Sequence, residues 1–576
     1  MSEPLAHAAV HAAVDLADPL PLRGAVREAI ERAWGAAVRA GSLPALPADA
    51  ETPGVEVARP ANPEHGDLSS NLALKLARPL RQSPMAIAGV IAKALTEAAE
   101  MPGSPIERVE VAAPGFLNVR IAAAFVERSI DRARAAGDGF GRTAASAPRH
   151  INVEFVSANP TGPLTVGNAR GAFVGDLLCR VLEAGGQSVT REYYFNDSGG
   201  QVRVLGASVA ARRQGHELPE EAYRGDYVED LATSLPEEVW ARATEPGADR
   251  DQILGAWASE RIRSGIEGSL SHLGVHFDVW KSEASLHLEG WVERAVERLR
   301  AAGHVYQQDG ATWFRSTTFG DDKDRVIYRS SGEPTYFAAD IGYVTEKFSR
   351  GFDHLIYIWG ADHHGTVARV RNAAGAMGFD VDAVEMLLVA WVRFVRDGRE
   401  ISMSKRAGEF ITLDELLAEV GVDAARWFFG ARAHTTAIDF DIELAKKQSA
   451  ENPVYYVQYA HARICSILRK AAGVGLSPAA SLAGSLGADE VGGGLAREVL
   501  RLPEIVEDAA AAQETQAVTA YATELATTFH AYYRDRRVVD PDDATTSAAR
   551  LALVDATRLA LRNTLALLGI SAPDSM

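Results

Sequence analysis

Glu154-Phe155-Val156-Ser157-Ala158-Asn159-Pro160-Thr161-Gly162-Pro163-Leu164-Thr165-Val166-Gly167-Asn168-Ala169-Arg170-Gly171 is the stretch from which the fold is read. His150 to Val156 leads into it, alternating and rich in β-branched residues, as a strand does. Pro160 to Pro163 ends that strand in a rigid loop. Asn168 is placed to cap a helix running to about Ala184. Within it Phe173, Leu177 and Val181 step by four, with Val174, Leu178 and Leu182 beside them. So wide an apolar stripe suits a helix pressed onto a sheet. Gly185-Gly186 closes the helix, and Ser188 to Phe195 reads as the next strand. The helix N-terminus offers unpaired N–H groups and a positive dipole end, a combination that favours phosphate.

The 576 residues are too many for one core and predict three or four domains. Hydrophobic content of 47% and charged content of 24% are those of a soluble globular chain. Cys179 and Cys465 lie far apart in apolar helical patterns, which predicts buried thiols in a reducing, cytoplasmic setting and no disulfide. No apolar run is long enough for a bilayer, and the start lacks the basic-then-apolar order of a leader, so no membrane partner is expected. A net charge of −18 argues against indiscriminate nucleic-acid binding. It leaves room for a large RNA met through local basic surfaces.

In chain order, residues 1–22 read as a flexible Ala-rich extension and 23–145 as an α+β domain. That domain has strands at Val55–Arg59, Val109–Ala112 and Leu117–Ile121, around helices near Leu72–Ala77 and Met85–Thr96. Residues 146–430 read as a Rossmann-like α/β domain, with a helical, polar insertion at about 205–303. His354–Trp359 is a buried-type strand that places Gly360-Ala361-Asp362-His363-His364-Gly365 at its carboxyl end, where open α/β sheets bind ligands. Leu387–Val395 reads as one further strand. Residues 431–576 are helical, with Asn452-Pro453 as cap and first-turn pair. The Asp362-His363-His364 tripeptide lacks the other ligand motifs of a metal centre, and no protein-held metal is expected.

Thr165-Val166-Gly167-Asn168 resembles the first signature of class I aminoacyl-tRNA synthetases in its arginyl-tRNA synthetase form, although both histidines of the His-x-Gly-His pattern are replaced. Ser402-Met403-Ser404-Lys405 resembles the second signature, Lys-Met-Ser-Lys, with its first lysine replaced. Ala113-Pro114-Gly115-Phe116-Leu117-Asn118, Pro334-Thr335-Tyr336-Phe337-Ala338-Ala339-Asp340, Asp423-Ala424-Ala425-Arg426 and Asn452 to Arg463 are similar to further phrases of that family. The resemblance implies ATP-dependent attachment of L-arginine to its tRNA through an adenylate. Mg²⁺ would arrive on ATP, and no cofactor would be tightly held.

The resemblance also implies roles, residue by residue. Lys405, Thr165 and Asn168 would be catalytic. Pro163, Gly167, Gly360, His363, Met403 and Ser404 would join them around ATP. Glu154, Ser157, Asn159, Tyr336, Asp340 and Asp362 would surround arginine. Asn452, Tyr456, Arg463, Tyr533 and Arg537 would meet tRNA, as would the aromatic-basic run Tyr532 to Arg537. Arg396, Arg399 and Arg406 are candidates for the cation that Ser402 does not supply. A monomer is expected. The alternatives are a class I synthetase for another amino acid and a tRNA-binding paralogue without activity.

Overall fold

The computed structural model describes residues 21–197, 199–401 and 412–576. Most of the expected extension, and Met403, Ser404, Lys405 and Arg406, lie outside the described residues.

Residues 22–136 form an α+β unit. Its antiparallel sheet runs Val57–Ala58, Leu68–Ser70, Phe116–Ile121, Ile106–Ala112, and is backed by helices Leu22–Arg39, Leu72–Leu80, Pro84–Ala99 and Ala123–Ala136. Ser83 caps the third of these by accepting from Ala86 N–H, and Pro84 stands at its first position, where no N–H is needed.

The central sheet is parallel throughout, in the order Val384–Val389, His354–Gly360, His150–Glu154, Ser188–Phe195, Val279–Ser282. The first strand in sequence is therefore central. The chain winds one way to the second and third strands and the other way to the fourth and fifth. The reversal falls between His150–Glu154 and His354–Gly360, the switch point at which doubly wound folds bind ligands. Helix Val166–Ala184 lies on this sheet so closely that a Cβ on Gly175 would sit 2.3 Å from the Phe155 ring.

Three expectations need correction. Asn168 does not cap the signature helix. Thr165 is the cap residue, and Asn168 sits three residues in, its Oδ1 accepting from the Thr165 backbone N–H and hydroxyl at 3.1 Å each. The helix therefore begins one turn earlier. The Leu387–Val395 strand is two strands in different sheets. After Val389 the chain leaves the central sheet, and Val392–Arg396 pairs with Ile438–Asp441 and Arg399–Glu400. Arg170 pins the break by donating to Ala390 O and Ala433 O at 2.8 Å each. A run that is apolar but for Arg393 does not encode which sheet it serves. Finally, the polar stretch 205–303 is not helical throughout: Val279–Ser282 is an edge strand of the central sheet.

The carboxyl-terminal part packs helices Pro453–Gly473, Glu490–Val499, Leu502–Ala512, Gln516–Asp535 and Ala544–Leu568. Arg426, almost fully buried, joins the units. It pairs with Asp176 of the signature helix at 2.7 Å and donates to Leu273 O and Leu568 O. One guanidinium fork thus ties three segments far apart in sequence.

Candidate active site

The first strand ends at Glu154, and Val156 and Ser157 then adopt φ of +68° and +42°. A β-branched valine is strained there. The turn carries the chain over the strand ends, so that Ser157 Oγ donates to Glu154 Oε1 at 3.1 Å and accepts from Tyr194 N–H at 3.2 Å. Glu154 Oε2 meets Lys347 Nζ at 2.6 Å, both side chains buried. Lys347 also stands 4.2 and 3.9 Å from the ring centres of Tyr343 and Tyr357. Both oxygens of Glu154 thus have partners within the protein.

Helix Tyr336–Ser349 starts at Thr335, whose hydroxyl accepts from Ala338 N–H. It puts Tyr336 at the mouth, 70% exposed, and Asp340 one turn deeper. Burial, then the charges of Glu154 and Glu283, raise the Asp340 carboxyl to about 7. Glu283 is itself pushed upward by burial and accepts from Tyr194 OH at 2.8 Å. Among the described residues neither Asp340 nor Glu283 has an ion-pair partner. Behind them Glu192 is fully buried yet held below the ordinary range. Burial alone would raise it, but the Lys347 charge and the Arg350 hydrogen bond and charge outweigh that. Arg350 reaches it at 2.7 Å, and Tyr343 OH donates to it. The site therefore has a neutralised inner layer, Glu154 and Glu192 with Lys347 and Arg350, beneath an outer pair of carboxylates without a cation.

Glu283, Lys347, Glu192 and Arg350 were not expected from sequence. Lys347 left a signal, because Tyr336, Asp340, Tyr343 and Lys347 share one helical face. Glu283 left none, since it follows the unrecognised edge strand.

On the nucleotide side, Gly167 is exposed at the helix N-terminus, and a Cβ there would meet nothing of the protein closer than Thr165 Oγ1 at 3.4 Å. The packing of the fold therefore does not require glycine here. Pro163 borders a cavity of about 610 Å³ shared with Tyr227 and Arg261. Asn159 is exposed and donates to Gln201. Across the switch point a Cβ on Gly360 would lie 2.5 Å from Asp362 Oδ1; Asp362 and His363 are exposed, their side chains 3.8 Å apart. The second signature falls outside the described residues, but Ile401 before it bonds to Phe394 O, and Thr412 after it bridges Thr165.

Three family descriptions match this chain in succession. The arginyl tRNA synthetase N terminal domain covers residues 22–121, the class I (R) tRNA synthetase catalytic domain 135–429, and the DALR anticodon binding domain 457–576. The chain belongs to the arginyl-tRNA synthetases. An arginine–tRNA ligase of Geobacter sp. strain M21 is 42% identical over 533 residues, covering 91% of this chain and 96% of the relative. One from Carboxydothermus hydrogenoformans is 44% identical over 550 residues, covering 94% and 97%. The Thermus thermophilus arginyl-tRNA synthetase structure shares the fold, with TM-score 0.73 at 24% identity, covering 96% of this chain and all of that one.

In this arginyl-tRNA synthetase the expected tRNA residues divide. Asn452 is buried and committed to the backbone: it caps Val454 N–H and donates to Ala445 O and Lys447 O, so it holds the helix start and does not face RNA. Tyr532 is buried, which takes it out of the exposed run; Arg534, Arg536 and Arg537 each pair with an aspartate, with Tyr533, Arg534 and Arg537 exposed. Tyr456, Arg463 and Tyr533 do converge. The Arg463 guanidinium lies 5.2 Å from the rings of Tyr459 and Tyr533, and Tyr456 packs on His530. Among the described residues no helix is long and apolar enough to cross a membrane.

Proposed function

We propose a division of labour among the residues of this synthetase, which attaches arginine to tRNA through an arginyl-adenylate. Asp340 and Glu283 take the guanidinium, whose planar fork matches paired carboxylates. Tyr336, exposed one turn before Asp340, closes over the side chain. Asn159 and Asp362, on opposite sides of the switch point, meet the amino-acid end. Glu154 is a positioning residue: with Lys347 and Ser157 it fixes the floor on which Asp340 stands. The observation that carries this reading is the pair of carboxylates without a cation, one raised to about 7, over a neutralised inner layer.

ATP lies at the N-terminus of helix Val166–Ala184. There Gly167 allows close approach and Thr165 and Asn168 shape the first turn. A class I fold of this kind uses ATP with Mg²⁺. The ion would be held by phosphate oxygens and water, as it prefers. Attack of the arginine carboxylate on the α-phosphate needs alignment and charge stabilisation more than covalent help. Lys405 balances the charge that develops on pyrophosphate. The adenylate then acylates tRNA, which Tyr456, Tyr459, Arg463 and Tyr533 meet by stacking and charge. The enzyme works as a monomer in the cytoplasm.

The test is charging of total tRNA with each amino acid in turn. Arginine alone should be accepted. Charging with another amino acid would overturn the pocket assignment, and tRNA binding without any charging would favour an inactive paralogue.

A further inference from the structure

After helix Ala544–Leu568 the chain turns at Gly569, φ +67°, and its last residues run back along helix Pro453–Gly473. Ser571 and Gln458 bond to Asp423, so the tail lies where the helical and catalytic parts meet. Beyond it, His461 and Cys465, one helical turn apart and both buried, face Pro573 and Asp574. Cys465 Sγ is 3.4 Å from Asp574 Oδ1 and 3.8 and 4.0 Å from the two ring nitrogens of His461. Among the described residues this is the group of His, Cys and carboxylate side chains whose ligand atoms all lie within 4.8 Å of one another.

We propose that His461, Cys465 and Asp574 bind a thiophilic divalent ion of the Zn²⁺ type, which fastens the tail to the helix. The donors fit. Bonds of about 2.3 Å to sulfur and about 2.0–2.1 Å to nitrogen or oxygen give tetrahedral edges of about 3.3–3.6 Å. The 3.4 Å from Sγ to Asp574 Oδ1 already matches, and the 4.0 Å from Sγ to Nε2 closes by a small rotation of the Cys465 and His461 side chains, which the exposed Asp574 side chain can follow. The His461 tautomer is already that of a ligand. Its Nδ1–H donates to Pro573 O at 2.9 Å, which fixes the tautomer and leaves Nε2 as the lone-pair donor. Charge balances as well. A thiolate, a carboxylate and a neutral imidazole carry −2 against the dication, with water completing the fourth position. Burial keeps the free Cys465 thiol protonated, raising it to about 11, so binding releases that proton to solvent and weakens as pH falls. Arg558 and Arg469 lie near enough to favour the thiolate. The other cysteine, Cys179, is fully buried and takes no part in this group.

The experiment is a Co²⁺ titration of the reduced, chelator-stripped, full-length protein. One equivalent should bring a thiolate-to-cobalt charge-transfer band and tetrahedral visible bands, both displaced by Zn²⁺. Cys465→Ser should abolish the charge-transfer band while far-UV circular dichroism is unchanged. Asp574→Asn, an exposed change, should weaken Co²⁺ binding by about tenfold or more, and it decides the matter if Cys465→Ser fails to fold. No charge-transfer band at stoichiometric Co²⁺, or a band that survives Cys465→Ser, would overturn the proposal and leave a thiol–carboxylate hydrogen bond only.

Discussion

Replacing Lys347 by methionine tests the inner layer of the site. The pair with Glu154 spans 2.6 Å with side-chain exposures of 0% and 4%, so no discount for solvent screening applies. Methionine keeps the length and apolar contacts of the side chain. What disappears is the charge, and Glu154 is left buried with only the Ser157 hydroxyl as a partner. Removing one member of such a pair costs about 3–5 kcal/mol, while replacing both by neutral groups is often close to neutral. With a urea slope of about 3 kcal/mol/M, Lys347→Met should lower the unfolding midpoint by about 1 M or more. Glu154→Gln should do likewise, because it strands the ammonium between the Tyr343 and Tyr357 rings. The double variant should be more stable than either single one, so that its loss falls far short of their sum. The assay is urea unfolding of all four proteins by circular dichroism and tryptophan fluorescence. A single variant as stable as the parent, or a double variant whose loss equals the sum, would refute a buried pair that supports the floor of the site.

Asp340 also sets a pH dependence. Its carboxyl is raised to about 7 in the free enzyme, so below pH 7 it holds a proton that arginine must displace. The arginine KM should rise with falling pH by up to about tenfold per unit below 7 and level off above it. Glu283→Gln removes a negative neighbour and should move that break to lower pH, which steady-state kinetics across buffers would read; an unmoved break would remove Glu283 from the site. Gly167→Ala should leave the thermal midpoint unchanged or higher, since its Cβ meets nothing of the protein closer than 3.4 Å, yet raise the ATP KM; unchanged ATP kinetics would place the nucleotide elsewhere. Asn452→Ala should lower stability by about 1 kcal/mol or more through loss of its cap and spare tRNA affinity, while Arg463→Ala should do the reverse; filter binding beside thermal melts separates them.

What sequence disclosed was local. The strand, loop and helix around Thr165 are read from periods of 2 and 3.6 within one short segment, and the structure contains all three, the helix starting one turn earlier than read. Pairing between distant segments left no such trace. Glu154 and Lys347 are 193 positions apart, and nothing in either neighbourhood says that one neutralises the other. The break at Ala390 was hidden because the run on both sides of it is mainly apolar. The edge strand Val279–Ser282 was hidden because four half-buried residues have too little alternation to stand out from a polar stretch. With that strand went Glu283, the carboxylate that completes the outer pair. Asn452 shows the opposite failure: a residue legible in its motif proved to serve the backbone.

The most direct test of the site is arginine-dependent ATP–pyrophosphate exchange, measured with cognate tRNA present, in the parent protein and Asp340→Asn. The outer carboxylates are held to select arginine, and the helix N-terminus to hold ATP. The variant should therefore raise the arginine KM by about a hundredfold or more, the equivalent of about 3 kcal/mol, with the ATP KM unchanged. An arginine KM equal to that of the parent, or a loss confined to ATP, would contradict the account.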